Sequence, residues 1–445
     1  MLKNISMLKV FKKVFTELNV IGIDYIIYKS LNCLKEDLMG LRGDIDVLVE
    51  EAQLKRFKTV LNDNFFFFAL NKSKKGPSYF LSLDLETHNL VMLDVNTKIQ
   101  FGSKPFKPYI LHLKLKDFKI FLNESDLKLL HHEDYIPLMF MMRVVSKSEK
   151  IIDLNELKDF IKSKNILSSH SLDNLEKMTN QSWSEISNNI LKASDWSLLK
   201  NEYSQSIISK SAKNKCFSFK NKFPKFFIKI NWLKTKYLNY PSYRIRSKGF
   251  LVAFVGVDGS GKSSLVDYIS NLEFFKLTGV KRIYFGNNEY WIPGLVFMLK
   301  RNKSKLLRVF FRAIATIDRR GRMLYAKHLI RRGYVVLADR YFYDDLIGEE
   351  LKNKKRSIWE NIYHKVFFIK NFKKPELVIF MDVSPEVAYQ RKQDYSYDIM
   401  LKMNKTYKDF MYKVDDVLIV DADKTQKEVY FNVIKAILEI DKKNN

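Results

Sequence analysis

The pattern of hydrophobic and polar residues divides the chain into a mixed N-terminal half and a regularly alternating C-terminal half. From residue 250 onward, short apolar runs of strand length alternate with segments that carry apolar residues at helical spacing. A long basic helix is predicted over 305–332. The predicted strands are 251–255, 282–285, 335–338, 377–381 and 417–420. This alternation predicts an α/β domain, a parallel sheet with helices on both faces.

The pattern in the N-terminal half predicts an α+β domain followed by helices. Its amphipathic, basic start predicts a first helix, and the runs 25–30, 43–49 and 90–95 include strands. Residues 122–200 show helical spacing, with Asn123 and Asp153 at positions typical of helix caps. The predicted division has four parts: a sheet domain over 1–121, a helical extension over 122–204, a connector over 205–249, and the α/β domain over 250–445.

The connector, residues 205–249, is basic and aromatic. From Gln205 to Phe250 the chain carries twelve Lys or Arg residues and no Asp or Glu, and Pro224 and Pro241 interrupt it. This composition suits an anionic membrane surface, with aromatic rings at the headgroups and lysines at the lipid phosphates. It equally suits a connector that packs its rings onto the C-terminal domain and leaves its lysines in water.

Overall composition narrows the class of protein. The net charge of +27 predicts attraction to polyanions, and we expect no sequence-specific binding of nucleic acid. Two cysteines, Cys33 and Cys216, argue against a disulfide framework and fit a reducing cytoplasm. No apolar run approaches the ~18 residues of a transmembrane helix. We therefore expect a cytoplasmic protein, peripheral to the inner face of the membrane if the connector binds lipid; a homodimer stays open.

The most specific motif follows the strand 251–255. Residues 256–264 match the phosphate-binding loop pattern G-x-x-x-x-G-K-[ST]. They are Gly256, Val257, Asp258, Gly259, Ser260, Gly261, Lys262, Ser263 and Ser264. Glycines let backbone N–H groups turn toward phosphate oxygens, Lys262 neutralises the β- and γ-phosphates, and Ser263 is a ligand for Mg²⁺. The motif predicts an enzyme that binds ATP and Mg²⁺.

A second charged group, Asp339-Arg340-Tyr341, follows the strand 335–338. Parallel strands end at the same edge of a sheet, so we expect this group beside the phosphate loop. A carboxylate there can hold Mg²⁺ through water, and a guanidinium can bind an acceptor phosphate through two hydrogen bonds. The combination predicts transfer of a phosphoryl group.

Residues 248–445 resemble the thymidylate kinase family of nucleoside monophosphate kinases. The matching segments are GVDGSGKSS, RRGYVVLADRY, KPELVIFMDVSPEVAYQRK and VLIVDAD. The resemblance implies that the loop binds ATP and that Asp258 contacts the acceptor. It further implies that Asp339 serves the metal, that Arg340, with Tyr341 beside it, binds the acceptor phosphate, and that Arg319 lies near the acceptor base. Arg391 would begin a mobile lid over the triphosphate and offset charge in the transition state.

The segment after Tyr341 departs from that family. Where the family has small polar residues and an Ala-Tyr-Gln that reads thymine, this chain has Phe342-Tyr343-Asp344-Asp345-Leu346-Ile347. The acceptor is therefore left as a small phosphorylated molecule, either a nucleotide similar to dTMP or a sugar phosphate.

The N-terminal half resembles the minimal nucleotidyltransferase pattern. Side chains two apart on a strand face the same way, so Asp44 and Asp46 can grip a divalent metal together. Asp94 supplies a third carboxylate from the run 90–95, and the three predict a site for two Mg²⁺. The family's Gly-Ser pair is Lys29-Ser30 here, which leaves a degenerate domain that binds a sugar phosphate, nucleotide or partner as the alternative.

The resulting hypothesis is an ATP- and Mg²⁺-dependent kinase of a phosphate-bearing acceptor, fused to a nucleotidyltransferase. Two such activities on one chain suit consecutive steps in the synthesis of surface polysaccharide precursors. The alternative is an ATP-binding regulatory module, or one associated with membrane or nucleic acid, without kinase turnover.

Overall fold

The computed structural model divides the chain into two compact units, Met1–Lys234 and Thr235–Asn445. The described residues are 7–28, 34–41, 43–69, 78–102, 109–111, 113–146, 151–163, 168–213, 241–287, 289–301, 304–351, 373–414 and 416–444. Within them, no helix combines the length and the apolar character that crossing a membrane requires.

The N-terminal unit is built around a seven-stranded mixed sheet with the order β3-β4-β5-β2-β1-β9-β8, and a small sheet has the order β10-β7-β6. The strands are β1 Tyr25–Ile27, β2 Asp44–Val49, β3 Phe67–Ala69, β4 Ser78–Leu83, β5 Leu90–Asn96, β6 Ile99–Phe101, β7 Tyr109–Leu111, β8 Ile120–Leu122, β9 Lys128–Leu130 and β10 Ala212–Lys213. The helices are α1 Lys9–Val20, α2 Leu34–Leu38, α3 Leu54–Asp63, α4 His132–Val145, α5 Leu154–Ser163, α6 His170–Thr179, α7 Trp183–Lys192 and α8 Trp196–Lys210.

Apolar side chains cover both faces of the seven-stranded sheet. Tyr25 and Ile27 of β1 pack with residues of α1 and α3, whereas Ile26 joins the core that α4 to α8 build on the other face. Successive side chains of a strand point to opposite faces, which explains why β1 is apolar at every position.

The helical extension predicted from residue 122 begins later than expected. Residues 128–130 form β9, and the first helix of the segment, α4, begins at His132. Asn123 caps no helix; its side chain accepts hydrogen bonds from the backbone of Ser125 and Leu127, at 3.1 and 2.8 Å, in the turn between β8 and β9. Burial of Leu129 and Leu130 on opposite faces of the sheet overrides the helical spacing. Asp153 does cap α5, since it accepts from Asn155 N at 2.8 Å.

The predicted connector is structured at both of its described ends. Residues 205–210 complete α8, and β10 pairs with β7. At the other end, the buried Arg246 donates to both carboxylate oxygens of Asp441 and to the carbonyl of Gly333. Residues 241–249 therefore pack onto the C-terminal unit, while residues 214–240 lie outside the described part of the chain.

The C-terminal unit confirms the predicted α/β architecture. Its sheet has the order β12-β13-β11-β14-β15, and every neighbouring pair is parallel. The strands are β11 Leu251–Val255, β12 Val280–Tyr284, β13 Val335–Asp339, β14 Leu377–Asp382 and β15 Val417–Asp421. The helices are α9 Lys262–Asn271, α10 Glu273–Thr278, α11 Leu295–Arg301, α12 Lys305–Arg331, α13 Phe342–Leu351, α14 Pro385–Arg391, α15 Tyr397–Met411 and α16 Gln426–Asn444.

The register of the sheet positions the site. Asp339 lies beside Phe254 on one side and Tyr284 on the other, so β11, β12 and β13 end at one edge. Loops that follow these strands meet there, which is where parallel sheets bind ligands.

Candidate active site

The loop 256–261 joins β11 to α9 and has the geometry of an anion site. Gly256, Gly259 and Gly261 have φ values of 150°, 86° and 88°. A Cβ atom on Gly259 would stand 2.5 Å from the carbonyl oxygen of Ala388, so only glycine lets the loop pass beneath α14. The loop leads into the N-terminus of α9, where backbone N–H groups and the helix dipole favour phosphate.

Lys262 is buried beneath the loop, with its ammonium group turned toward loop carbonyls. Nζ donates to Gly256 O and Val257 O, each at 2.7 Å, and to Ser260 Oγ at 3.2 Å. Burial, aided by the charge of Arg340, lowers the pKa of Lys262 to about 8. Ser263 and Ser264 are exposed on the first turn of α9. The loop thus holds a buried cation beneath it, and two serines lie exposed where it meets α9.

Asp339 lies at the end of β13 and is nearly fully buried. Its Oδ2 accepts from Arg282 Nη2 at 2.5 Å, and Arg282 also pairs with Asp267 of α9. Its Oδ1 is buried and makes no hydrogen bond within the described residues. A buried carboxylate oxygen with unused acceptor capacity fits a metal-bound water, so Asp339 together with the Ser263 hydroxyl fits Mg²⁺.

Arg340 adopts the left-handed conformation, with φ of 64°. That conformation is unfavourable for a side chain with a Cβ and occurs mainly where the surrounding structure imposes it. The guanidinium forms an ion pair with Asp258 of the loop and lies 3.9 Å from Asp344. Burial lowers the pKa of Arg340, but Asp344 and Asp258 outweigh it, so the net shift is upward and the charge is fixed.

A cavity of about 250 Å³ opens between the loop and α15. Its polar lining includes Asp258, Asn287, Arg340 and Asp345. Gly286, also in the lining, makes the space: a Cβ atom there would stand 2.6 Å from Arg340 Cδ and 2.3 Å from the Tyr284 hydroxyl. The cavity thus lies against Arg340 and Asp258, beside the phosphate loop.

Comparison with known proteins supports this interpretation of the geometry. No protein-family model matches the chain. Thymidylate kinase of Plasmodium falciparum is 25% identical over 205 residues, which cover 44% of this chain and 92% of that protein. Thymidylate kinase of Leptospira borgpetersenii is 30% identical over 166 residues, covering 32% of this chain and 68% of that protein. Through this part, the chain belongs to the thymidylate kinase family. The homology supports an ATP-using nucleotide kinase.

Two solved structures show a low similarity to part of this chain. Thymidylate kinase from Candida albicans covers 44% of this chain and 94% of its own, with 20% identity and a TM-score of 0.35. Deoxyadenosine kinase from M. mycoides with bound dATP covers 42% and 98%, with 20% identity and a TM-score of 0.32.

Two residues were predicted to bind the acceptor, Arg319 and Tyr341. Only Tyr341 lines the 250 Å³ cavity. Arg319 lies behind the wall and donates to Asp345 Oδ2 at 2.9 Å and to Asn287 Oδ1. It therefore orients two lining residues. Tyr341 contributes to the lining, but its hydroxyl is turned away and donates to the carbonyl of Lys373.

Asp344 is a site residue that the sequence analysis missed. Its side chain is largely buried and accepts hydrogen bonds from Tyr341 N at 2.9 Å and from the Tyr407 hydroxyl at 2.6 Å. Burial raises its pKa, against the opposing charges of Arg340 and Lys262. The adjacent acids Asp344 and Asp345, directly after the Asp-Arg-Tyr group, were the available signal. In the sequence, these two acids stand out only as a departure from the thymidylate kinase pattern.

The predicted lid residue Arg391 is exposed at the end of α14, and its guanidinium faces the Ala422 carbonyl at 3.4 Å. The next residue, Lys392, forms an ion pair with Asp394 at 2.8 Å. That hydrogen bond raises the pKa of Lys392, the charge of Asp258 raises it as well, and the charge of Arg340 opposes the shift. Lys392 is therefore a second candidate for the role predicted for Arg391.

The N-terminal carboxylates lie on neighbouring strands, as predicted. Asp46 of β2 stands opposite Asp94 of β5 in a parallel pair, and Asp44 shares the strand with Asp46. Asp37 of α2 is a further member: burial, then the charges of Asp44 and Asp46, raise its pKa to about 7. Within the described residues, however, no three His, Cys, Asp or Glu side chains are arranged to hold one metal ion. The Mg²⁺ site of Asp44, Asp46 and Asp94 stays a prediction, and Lys29-Ser30 lies outside the described residues.

Proposed function

We propose that the C-terminal unit transfers the γ-phosphoryl group of ATP to a small phosphorylated acceptor held in the 250 Å³ cavity. The observation that carries this proposal is Arg340, which lines the cavity and pairs with Asp258 of the phosphate loop. One guanidinium thus contacts both the space for an acceptor and the loop for ATP.

Each group has a role that follows from its position. Backbone N–H groups of 256–261 and the first turn of α9 bind the phosphates of ATP, and Lys262 exchanges its loop carbonyls for phosphate oxygens. Ser263 and Asp339 would hold Mg²⁺, which supplies neutralising charge when bound. Arg340 releases Asp258 to bind the acceptor phosphate and stabilises charge that spreads during transfer. Catalysis then rests mainly on positioning.

We propose a nucleoside monophosphate as the acceptor, in line with the family. Asn287 and Asp345, which Arg319 orients, supply hydrogen-bonding groups for a base or sugar in place of the missing thymine-reading segment. A sugar phosphate is the competing acceptor.

An acceptor screen tests the kinase proposal. Purified protein with ATP and Mg²⁺ is offered nucleoside monophosphates and sugar phosphates, and ADP formation is measured. Lys262→Ala should abolish transfer, and Asp46→Ala, in the other unit, should leave it unchanged. ATP binding without phosphorylation of any acceptor would instead favour an ATP-binding regulatory module.

A second candidate function concerns the N-terminal unit, for which we propose nucleotidyl transfer. Its support is the alignment of Asp46 with Asp94 across β2 and β5, together with the nearby Asp37, whose pKa is raised by burial and by the charges of Asp44 and Asp46. Carboxylates crowded in this way favour a cationic ligand.

Release of pyrophosphate from nucleoside triphosphates in the presence of a phosphosugar tests nucleotidyl transfer. Asp46→Asn and Asp94→Asn should abolish the release, while Lys262→Ala should not. Absence of release from the wild-type protein, together with retained binding of a sugar phosphate, would identify a degenerate binding domain.

We also propose that the kinase unit forms a homodimer through α12. Leu307, Phe310, Ile317 and Leu324 are 44–66% exposed and recur at the three- and seven-residue spacing of a helix–helix seam. Analytical ultracentrifugation should show a dimer that Ile317→Glu with Leu324→Glu converts to a monomer. A monomeric wild-type protein at high concentration would refute the dimer.

A further inference from the structure

A second cavity of the C-terminal unit lies at the sheet edge formed by β12, away from the acceptor cavity. It measures about 430 Å³, within the size range of small-molecule sites. Four elements contribute to its wall: Ser270 from α9, Lys276 from α10, Lys281 and Arg282 from β12, and Tyr325 from α12. Tyr334, just before β13, completes the aromatic part. None of these residues lines the acceptor cavity.

The charge of this wall is positive. Lys276 and Lys281 are exposed and form no ion pair within the described residues. Arg282 divides its guanidinium between Asp267 and Asp339. The Ser270 hydroxyl, shielded from water at the wall, makes no hydrogen bond in the described part of the chain. Two lysines without an ion pair in the described part of the chain, beside Arg282 in one concave surface, favour an anionic ligand with several oxygens.

The aromatic part of the wall narrows the class of ligand. Tyr325 and Tyr334 are both half-buried, and burial, with Tyr325 contributing, raises the pKa of Tyr334, so it remains a neutral donor. Trp291 stands edge-on to Tyr325, with ring centroids 5.6 Å apart. Aromatic rings bind planar heterocycles by stacking, while lysines bind phosphates. A molecule that carries both parts is a nucleotide.

We propose that this cavity is a regulatory nucleotide site, separate from the kinase site and coupled to it through Arg282. Phosphate oxygens held by Lys276 and Lys281 would offer Arg282 a competing anionic partner. Arg282 would then loosen its pair with Asp339. The other carboxylate oxygen of Asp339, Oδ1, already makes no hydrogen bond within the described residues. The occupant therefore changes the electrostatics of the edge that receives Mg²⁺ and the acceptor. By linkage, ligands of the kinase site alter affinity at the second site by the same factor.

Fluorescence of Trp291 offers a direct measurement, because its ring contacts the cavity wall through Tyr325. The full chain is titrated with AMP, dTTP and inorganic pyrophosphate, with Trp291→Phe as the blank. We expect a saturable signal for a nucleotide, with weaker binding of pyrophosphate, which lacks a base. The signal should persist in Lys262→Ala, and its Kd should rise at least tenfold in Lys276→Ala with Lys281→Ala.

A matched control removes equal charge from the opposite edge of the same sheet. Lys424 and Lys435 line a separate surface cavity beside β15. Lys424→Ala with Lys435→Ala should leave the Kd unchanged. The site is overturned if no nucleotide gives a saturable signal, or if Lys262→Ala abolishes the signal while Lys276→Ala with Lys281→Ala retains it.

The coupling has its own test. In wild-type protein, the nucleotide that binds at the second cavity should change the affinity for Mg²⁺·ADP, measured by calorimetry. In Lys276→Ala with Lys281→Ala that change should vanish, while affinity for Mg²⁺·ADP alone is retained. Equal affinity for Mg²⁺·ADP with and without the nucleotide in wild type would refute the coupling, even if the cavity binds.

Discussion

The two units each place carboxylates on or directly after parallel strands, but they surround them differently. In the C-terminal unit, Asp339 pairs with Arg282 and Asp258 pairs with Arg340. In the N-terminal unit, burial and then the like charges of Asp44 and Asp46 raise the pKa of Asp37. An edge whose acids are matched by guanidinium groups is prepared for anionic substrates. A cluster in which burial and neighbouring carboxylates raise the pKa of Asp37 is prepared for a cationic ligand.

The variant Lys262→Ala separates the activity proposed for the C-terminal unit from any activity of the N-terminal unit, and it has the largest expected effect. We expect phosphoryl transfer to fall by about 10²-fold or more, because the variant removes a buried charge that stabilises the transferred group. Any reaction of the N-terminal unit should continue at its wild-type rate. The measurement is ADP formation, with circular dichroism as the control for folding. Full kinase activity in the variant would contradict the assignment of the loop.

Gly286→Ala tests whether the acceptor cavity depends on the close approach of Arg340. The added Cβ would meet Arg340 Cδ at 2.6 Å, and Gly286 lies outside the phosphate loop. We expect KM for the acceptor to rise about tenfold, the equivalent of 1.4 kcal/mol, with KM for ATP little changed. Gly321→Ala is the matched control, since a Cβ there meets nothing within 4 Å. Equal effects of the two variants would argue against the cavity as the acceptor site.

Lys392→Ala and Arg391→Ala compare neighbours at the end of α14. The charges of Asp258 and Arg340 act on Lys392, which also pairs with Asp394, whereas the Arg391 guanidinium faces the Ala422 carbonyl. We expect kcat/KM for ATP to fall about threefold in Lys392→Ala, as for a partly screened charge, and to change less in Arg391→Ala. The reverse order would show that α14 rearranges when ATP binds and would restore the sequence-based prediction for Arg391.

The smallest expected effect is on stability and involves Asp37. Its pKa in the folded state is raised to about 7, so between pH 4 and 7 the folded protein retains a proton that the unfolded chain loses. Stability should therefore fall as pH rises through this window. Asp37→Asn should raise Tm at pH 8 by about 2–4 °C, the shift expected for each kcal/mol in a unit of this size.

At pH 4 the same variant should have little effect on Tm, because Asp37 is protonated in the folded state. Differential scanning calorimetry at the two pH values makes the comparison. A gain of equal size at both would mean that packing, not charge, accounts for the change.

The sequence predicted the C-terminal unit in most of its detail. A strand buried on both faces, such as Leu251–Val255, leaves little choice of structure, and the phosphate loop follows it with fixed spacing. The N-terminal unit was harder, because short strands such as Lys128–Leu130 have apolar residues that also fit a helix. Only the tertiary pairing with β1 and β8 decides between them.

The motif residues of the candidate site could be predicted from the sequence. The residues that hold them in place or leave room beside them could not. Asp344 and Gly286 matter through atoms that are distant in sequence, the Tyr407 hydroxyl and the Arg340 side chain. No local pattern encodes such contacts. Likewise, the choice between Arg391 and Lys392 depends on which way two adjacent side chains leave the end of α14.

The burial of Lys262 against loop carbonyls also links nucleotide binding to the proton concentration. With a pKa of about 8, the ammonium group is largely deprotonated above that pH when the loop carries no phosphate. A bound triphosphate favours the charged form, so binding in mildly alkaline solution must take up a proton from the buffer. Affinity for ATP therefore declines as pH rises above 8, and the phosphate loop acts as a proton-coupled receptor.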